Sequence, residues 1–165
     1  MKKLAIQNLI LDDSDVENKI HRIGLEILED NTDESKITLF GISDNGKLIA
    51  EKLVSYINKI SDIETVLIEV VIENGPPEYT GKLNILDESI IIVGDVSQTG
   101  KTLQIVISNL MMHKPSKIKT SVIINRDQTM YPVKIDYVGL SLSTSVNEHV
   151  DVMVDKKNRF SVYLS

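Results

Sequence analysis

Cysteine is absent from the sequence, and its absence excludes several kinds of protein. There is no disulfide framework, no thiolate zinc site and no cysteine nucleophile. The lack of cysteine fits a reducing compartment, and we expect a cytoplasmic protein. The first six residues are too short and turn polar too soon to predict a secretory leader.

Positive charge is also scarce, with 18 Lys and Arg against 24 Asp and Glu and a net charge of −6. An acidic chain is a poor default partner for RNA, because RNA affinity rests on contacts between cations and phosphates. Two short basic clusters, at residues 114–119 and 156–159, are the local exceptions. No apolar run approaches the ~20 residues that span a bilayer, so we expect no membrane partner.

Apolar segments with strand character alternate with segments of helical periodicity, and the length of 165 residues suits one domain, residues 1–165. The predicted helices are residues 14–30, with Ser14 and Glu17 at capping-box spacing, residues 47–60, and a third that ends near 113–115. The predicted strands are 37–42, 66–72, 89–93, 119–125 and 137–142, followed by a hairpin around 156–158. This alternation predicts an α/β fold, a Rossmann-like parallel sheet flanked by helices.

Two polar loops follow strands of this predicted sheet, at the carboxyl ends where ligands of such sheets bind. One is a turn at residues 43–46, and the other is the segment 95–102 that leads into the third helix. The candidate phosphate-binding residues of the second loop are Ser97, Gln98, Thr99, Gly100, Lys101 and Thr102. The start of a helix carries unpaired N–H groups and partial positive charge, so this loop predicts an anion site. The alternative is an ordinary helix start with a surface lysine.

The loop does not fit the P-loop of nucleotide triphosphatases. That motif has four residues between its first glycine and its Gly-Lys-Ser/Thr, whereas five lie between Gly94 and Gly100. The string instead resembles the loop of type I phosphoribosyltransferases, which has an apolar strand, two acids, an apolar residue, two variable positions and Thr-Gly-x-Thr. By this resemblance, Thr99 to Thr102 hold a 5′-phosphate, and Asp95 is the catalytic residue that binds the ribose hydroxyls.

The resemblance extends along nearly the whole chain to the PyrR family of pyrimidine-operon regulators and uracil phosphoribosyltransferases. It implies a type I phosphoribosyltransferase fold, phosphoribosyl diphosphate as ligand, Mg²⁺ carried with that ligand and a homodimer. It places the diphosphate at a loop formed by Ser43, Asp44, Asn45 and Gly46, with a plain turn as the alternative that the composition also fits. It also places Asn125 and Arg126 on the base side, although a surface salt bridge is the alternative for the arginine.

Several positions depart from the family pattern. Gly94 replaces the first of the two acids, Asp44 and Asn45 stand where a basic residue is usual, and the segment 74–88 is short for a lid. Tyr79 and Lys82 are the contacts expected of such a lid, and a plain exposed connection is the alternative. Gln98 has an amide where purine-using members have a carboxylate base, and an amide accepts no proton at neutral pH.

Three functions follow. The first is an enzyme that transfers ribose phosphate to a nucleobase, with a pyrimidine such as uracil expected. The alternatives are a catalytically weakened homologue that senses a nucleotide and an RNA-binding attenuator. RNA binding is not favoured by the net charge of −6.

Overall fold

The computed structural model describes residues 7–145 and 147–165; the first six residues, and with them the expectation about a leader, lie outside this part. The strands are β1 (Asn8–Leu11), β2 (Lys36–Ile42), β3 (Glu64–Val71), β4 (Glu78–Tyr79), β5 (Ser89–Ser97), β6 (Lys117–Asn125), β7 (Tyr137–Ser141), β8 (Val150–Val154) and β9 (Phe160–Leu164). The helices are α1 (Asp13–Glu29), α2 (Ser43–Ile60) and α3 (Lys101–Leu110), and a 3₁₀ turn, Met111–His113, continues the last.

The larger sheet has six strands in the order β4-β3-β2-β5-β6-β7. Its β3, β2, β5, β6 and β7 run parallel, and β4 is antiparallel to β3. Helices α1 and α2 pack on one face and α3 on the other. Because both faces are covered, the central strand β5 is apolar at successive positions rather than at alternate ones. The predicted α/β class is confirmed.

A second sheet of three antiparallel strands, in the order β1-β9-β8, joins the two ends of the described chain. Strand β1 was not predicted, because four residues carry too little periodicity to identify a strand. The start of β9 is tied to α1, since Phe160 N–H donates to Asp13 Oδ1 at 2.8 Å. We call this unit the small sheet.

Two local predictions are wrong. The N-cap of α1 is Asp12, whose capping box closes with Asp15, so the predicted pair Ser14 and Glu17 lies inside the helix. The predicted turn at residues 43–46 is the first turn of α2, which therefore begins four residues earlier than expected. Ser43 opens this helix with a φ of 59°, a backbone region that serine seldom occupies.

Among the helices that the structure describes, none has the length and apolar character needed to cross a membrane.

Two buried serines give a stability test of the core. The hydroxyl of Ser121 has no hydrogen-bond partner within the described residues, whereas Ser89 donates to Asn31 Oδ1 at 2.7 Å. We expect Ser121→Ala to raise the free energy of unfolding by up to about 1 kcal/mol, since it removes an unsatisfied polar group. The matched variant Ser89→Ala should lower it by about 1–3 kcal/mol, because it leaves the buried Asn31 oxygen unpaired.

Urea unfolding of the three proteins measures both changes. Equal losses of stability in the two variants would contradict this account of Ser121.

Candidate functional site

Helix α3 starts from a left-handed residue. Gly100 is the N-cap of α3 with a φ of 80° and a ψ of 0°. Glycine adopts this conformation without the steric cost that a Cβ imposes. Space alone does not require glycine, since the first atom that a Cβ would meet is Val133 Cβ at 3.5 Å. The backbone conformation therefore explains why glycine stands at the turn from β5 into α3.

A cavity of about 190 Å³ lies at this turn, lined by residues 96–103. Lys101 N–H points at Thr99 Oγ1, 3.3 Å away, in a weak bond. Within the described residues, the amides of Gly100, Thr102 and Leu103 have no protein acceptor. These amides carry the partial positive charge of a helix start, so the cavity is suited to an anion.

The loop before α3 is held from behind by the segment that follows β6. Thr99 O accepts hydrogen bonds from the backbone N–H groups of Met130, at 2.9 Å, and Tyr131, at 3.1 Å. Gln98 Nε2 donates to Gln128 Oε1 at 3.0 Å, and Gln128 Nε2 donates to a backbone carbonyl further along the chain. The loop is therefore preorganised, and Gln98 is part of a chain of amides.

Asp95 lies near the carboxyl end of β5 and is half-buried beside the first turn of α2. Its Oδ1 accepts from Val96 N–H at 2.7 Å, and its Oδ2 accepts from Asn45 Nδ2 at 2.9 Å. Asp95 and Ser43 both line a second cavity of about 160 Å³. The walls of the two cavities share Val96, Thr102 and Leu103, so the cavities adjoin. The structure thus brings the two loops predicted from the sequence to one cleft.

The first turn of α2 forms the other wall of this cleft. Gly46 allows its close approach to β5, since a Cβ there would lie 2.7 Å from Val93 O. Asp44 is exposed, and Asn45 turns towards Asp95. The next basic residue, Lys47, pairs with Glu69 at 3.0 Å, and this hydrogen bond and charge raise the pKa of Lys47. No cation of this turn therefore takes the place of the usual basic residue.

The two residues predicted on the base side have structural partners. Arg126 is 3% exposed, so the alternative of a surface salt bridge is wrong. Its guanidinium donates to Thr144 Oγ1 at 3.0 Å and to the carbonyl of Glu148 at 2.6 Å, which fixes the segment leading into β8. Asn125 Oδ1 accepts from Asp127 N–H at 3.1 Å. Their contact with a base stays a prediction.

The segment 74–88 forms the short edge strand β4. Tyr79 packs edge-on against Phe40, and its hydroxyl donates to Asn109 Oδ1 at 2.8 Å. Burial raises the pKa of Tyr79 to about 12. Tyr79 thus packs on the face of the sheet that α3 covers, and it lines neither cavity of the cleft.

Sequence reasoning missed the residues that support the cleft, above all Gln128 and the carbonyl of Val152, which Asn45 Nδ2 contacts at 3.1 Å. Neither residue carries a local signal, because each acts through a partner far away in the chain.

Comparisons with known proteins agree with this geometry. The sequence matches the family described as phosphoribosyl transferase domain over residues 7–157. It is 28% identical over 151 residues to the bifunctional protein PyrR of Streptococcus pneumoniae, with 87% of each chain covered.

Solved structures show the same fold. A hypoxanthine-guanine phosphoribosyltransferase from Bacillus anthracis superposes with a TM-score of 0.77 at 18% identity, covering 96% of this chain and 98% of that one. The hypoxanthine phosphoribosyltransferase of Trypanosoma cruzi gives a TM-score of 0.79 at 15% identity, covering 94% and 95%. With the family match spanning most of its length, this chain belongs to the phosphoribosyl transferase domain family, with the type I fold and a PyrR-like sequence.

Proposed function

We propose that this protein binds phosphoribosyl diphosphate and transfers its ribose 5-phosphate to a nucleobase. One observation carries the proposal: the amide-lined cavity at the start of α3 adjoins the cavity that contains the Asp95 carboxylate. An anion site next to a carboxylate suits a ligand with a phosphate at one end and hydroxyl groups beside it. Uracil is the base to test first, because the relative in Streptococcus pneumoniae is a PyrR protein.

The 5′-phosphate and the ribose of the ligand would contact different parts of the cleft. The free amides of Gly100, Thr102 and Leu103 bind the 5′-phosphate, and the Thr99 and Thr102 hydroxyls add donors. The Asp95 carboxylate accepts hydrogen bonds from the ribose hydroxyls. When the bond from ribose C1 to the diphosphate breaks, positive charge develops on the ribose ring, and a fixed carboxylate stabilises that charge.

The diphosphate would meet the first turn of α2, where Ser43 lines the cavity. The start of this helix carries partial positive charge, while Asp44 adds a negative one. Within the described residues there is no cluster of three or more His, Asp or Glu for a resident metal. One carboxylate with a neighbouring hydroxyl fits Mg²⁺ that is carried by the substrate, since Mg²⁺ keeps phosphate and water ligands. The ion would neutralise the charge of the leaving diphosphate.

A second candidate function is nucleotide sensing without turnover. Asn45 is bound to Asp95 instead of offering a positive charge, and Gly94 supplies no second carboxylate. The first feature weakens a contact with the diphosphate, which only phosphoribosyl diphosphate has, and the second weakens binding of the ribose. Both leave the monophosphate cavity intact. A nucleoside monophosphate would then be the ligand.

An assay of turnover and binding separates the two functions. With phosphoribosyl diphosphate, uracil and Mg²⁺, we expect diphosphate release that requires the base and yields uridine monophosphate. Thermal stabilisation by uridine monophosphate, without release of diphosphate from phosphoribosyl diphosphate whichever nucleobase is supplied, would support the sensor instead. If the protein shows no turnover and no nucleotide stabilises it, both candidate functions are overturned.

Removing the two hydroxyls of the phosphate cavity tests the anion site. We expect Thr99→Val with Thr102→Val to weaken binding of ribose 5-phosphate about tenfold or more, because two hydrogen bonds to a charged group are lost. Isothermal titration calorimetry measures the affinity. Thr32→Val, an exposed threonine at the opposite end of the sheet, is the control and should bind as the wild type does. Unchanged affinity in the double variant would contradict the assignment.

Restoring the missing acid tests the interpretation of Gly94. A Cβ at this position meets Val122 Cγ1 at 3.6 Å, an ordinary contact, so a Cβ fits, and Gly94 lines the same cavity as Asp95. We expect Gly94→Asp to tighten binding of phosphoribosyl diphosphate with Mg²⁺ several-fold, since a carboxylate can accept from a hydroxyl or a metal-bound water. Gly94→Ala has the same Cβ without the carboxylate and should show no gain. Equal affinities of the two variants would show that the charge is not what this site lacks.

A further inference from the structure

The side chain of Asn45 joins three parts of the molecule. It belongs to the first turn of α2, and its single amide nitrogen lies 2.9 Å from Asp95 Oδ2 on β5 and 3.1 Å from the carbonyl of Val152 on β8. A carboxamide nitrogen carries two hydrogens, one for each of these acceptors. Both donors are therefore used within the protein.

The pairing of β8 explains why the Val152 carbonyl is available. His149 and Ser165 exchange both backbone hydrogen bonds, which makes the odd-numbered residues of β8 the ones bonded to β9. Val152 N–H and C=O consequently point away from β9, at the free edge of the small sheet. Asn45 on α2 fills this edge position, so it ties β8 of the small sheet to the start of α2 beside Asp95.

The same amide sets the orientation of the Asp95 carboxylate. One oxygen is held by Val96 N–H at 2.7 Å and the other by Asn45. Each carboxylate oxygen can accept a second hydrogen bond, so two acceptor positions remain for the vicinal hydroxyls of a ribose. Within the described residues no Lys or Arg forms an ion pair with Asp95, so Asn45 is the side-chain donor that holds it.

We propose that Asn45 is a positioning residue, which uses its two amide hydrogens to hold the Asp95 carboxylate for ribose and to anchor the small sheet through Val152. The effect on ribose rests on the proposed function, whereas the link between the sheets does not. Asparagine is suited to this role because aspartate has no donor and leucine has no polar group.

Two variants of nearly the same size separate positioning from packing. In Asn45→Asp, three acceptors converge: the new carboxylate, Asp95 and the Val152 carbonyl. The two carboxylates then share one proton when the pH is low enough, and that proton restores a donor, so the pKa of the pair is raised in the folded state. Such a pair stabilises the fold at low pH and loses this contribution as the pH rises. Asn45→Leu gains no donor at any pH.

Two other charged residues are the sequence neighbours of the groups in this contact. Asp44 precedes Asn45 on α2, and Asp151 precedes Val152 on β8. Both are exposed and both occur in the wild type, which serves as the reference at each pH.

The experiment compares wild type, Asn45→Asp and Asn45→Leu without ligand and with ribose 5-phosphate, at about pH 5 and about pH 8. We expect Asn45→Asp to melt several degrees below the wild type at the higher pH and within about two degrees of it at the lower pH. Asn45→Leu should melt lower by a similar amount at both. For ribose 5-phosphate, Asn45→Asp should bind about tenfold more weakly at the higher pH and recover most of the loss at the lower pH. Binding of inorganic phosphate at the α3 cavity should be unchanged.

The possible failures are distinct. If the wild type does not bind ribose 5-phosphate, the proposed function fails, and the melting temperatures still test the link. If the wild type binds ribose 5-phosphate and both variants bind it as tightly as the wild type does at both pH values, only the positioning role fails. Equal deficits of the two variants at both pH values would show that Asn45 only packs, which overturns the proposal.

Discussion

The cleft depends on the parallel pairing of β2 with β5. In this register Gly41 lies opposite Val93, so β2 ends and α2 begins beside the second half of β5. The first turn of α2 can then pack against β5, because Gly46 has no side chain to meet the Val93 carbonyl. This close approach puts Asn45 within hydrogen-bond distance of Asp95. A shift of one residue in the pairing would send these side chains to opposite faces.

The two walls of the cleft differ in how they are built. The α3 wall is preorganised by the left-handed Gly100 and by the hydrogen bonds to Thr99 O, which leave amides free for an anion. The α2 wall is occupied by its own side chains, since Asn45 is bound to Asp95 and to the small sheet. With the ligand of the proposed function, this asymmetry would hold the monophosphate end more firmly than the diphosphate end.

The sequence predicts the sheet and the turn from β5 into α3 well, because β5 is a continuous apolar run and Thr-Gly-Lys-Thr is a contiguous string. Phosphate binding by that turn stays a prediction. The sequence predicts the surroundings less well. The composition of residues 43–46 is typical of an ordinary turn, but these residues pack against β5 and form the first turn of α2. The roles of Arg126 and of the Val152 carbonyl arise from pairings 18 and 107 positions apart, which no local pattern encodes. Four-residue β1 is recognised only through its partner β9.

The most direct test of the central claim is a titration of ¹⁵N-labelled protein with ribose 5-phosphate, followed by NMR. We expect saturable shifts of the Asn45 side-chain amide and of the backbone amides at the start of α3, all at one common affinity; these backbone amides are Gly100, Lys101, Thr102 and Leu103. Unmoved amides at the start of α3, or shifts that centre on another part of the chain, would contradict that claim.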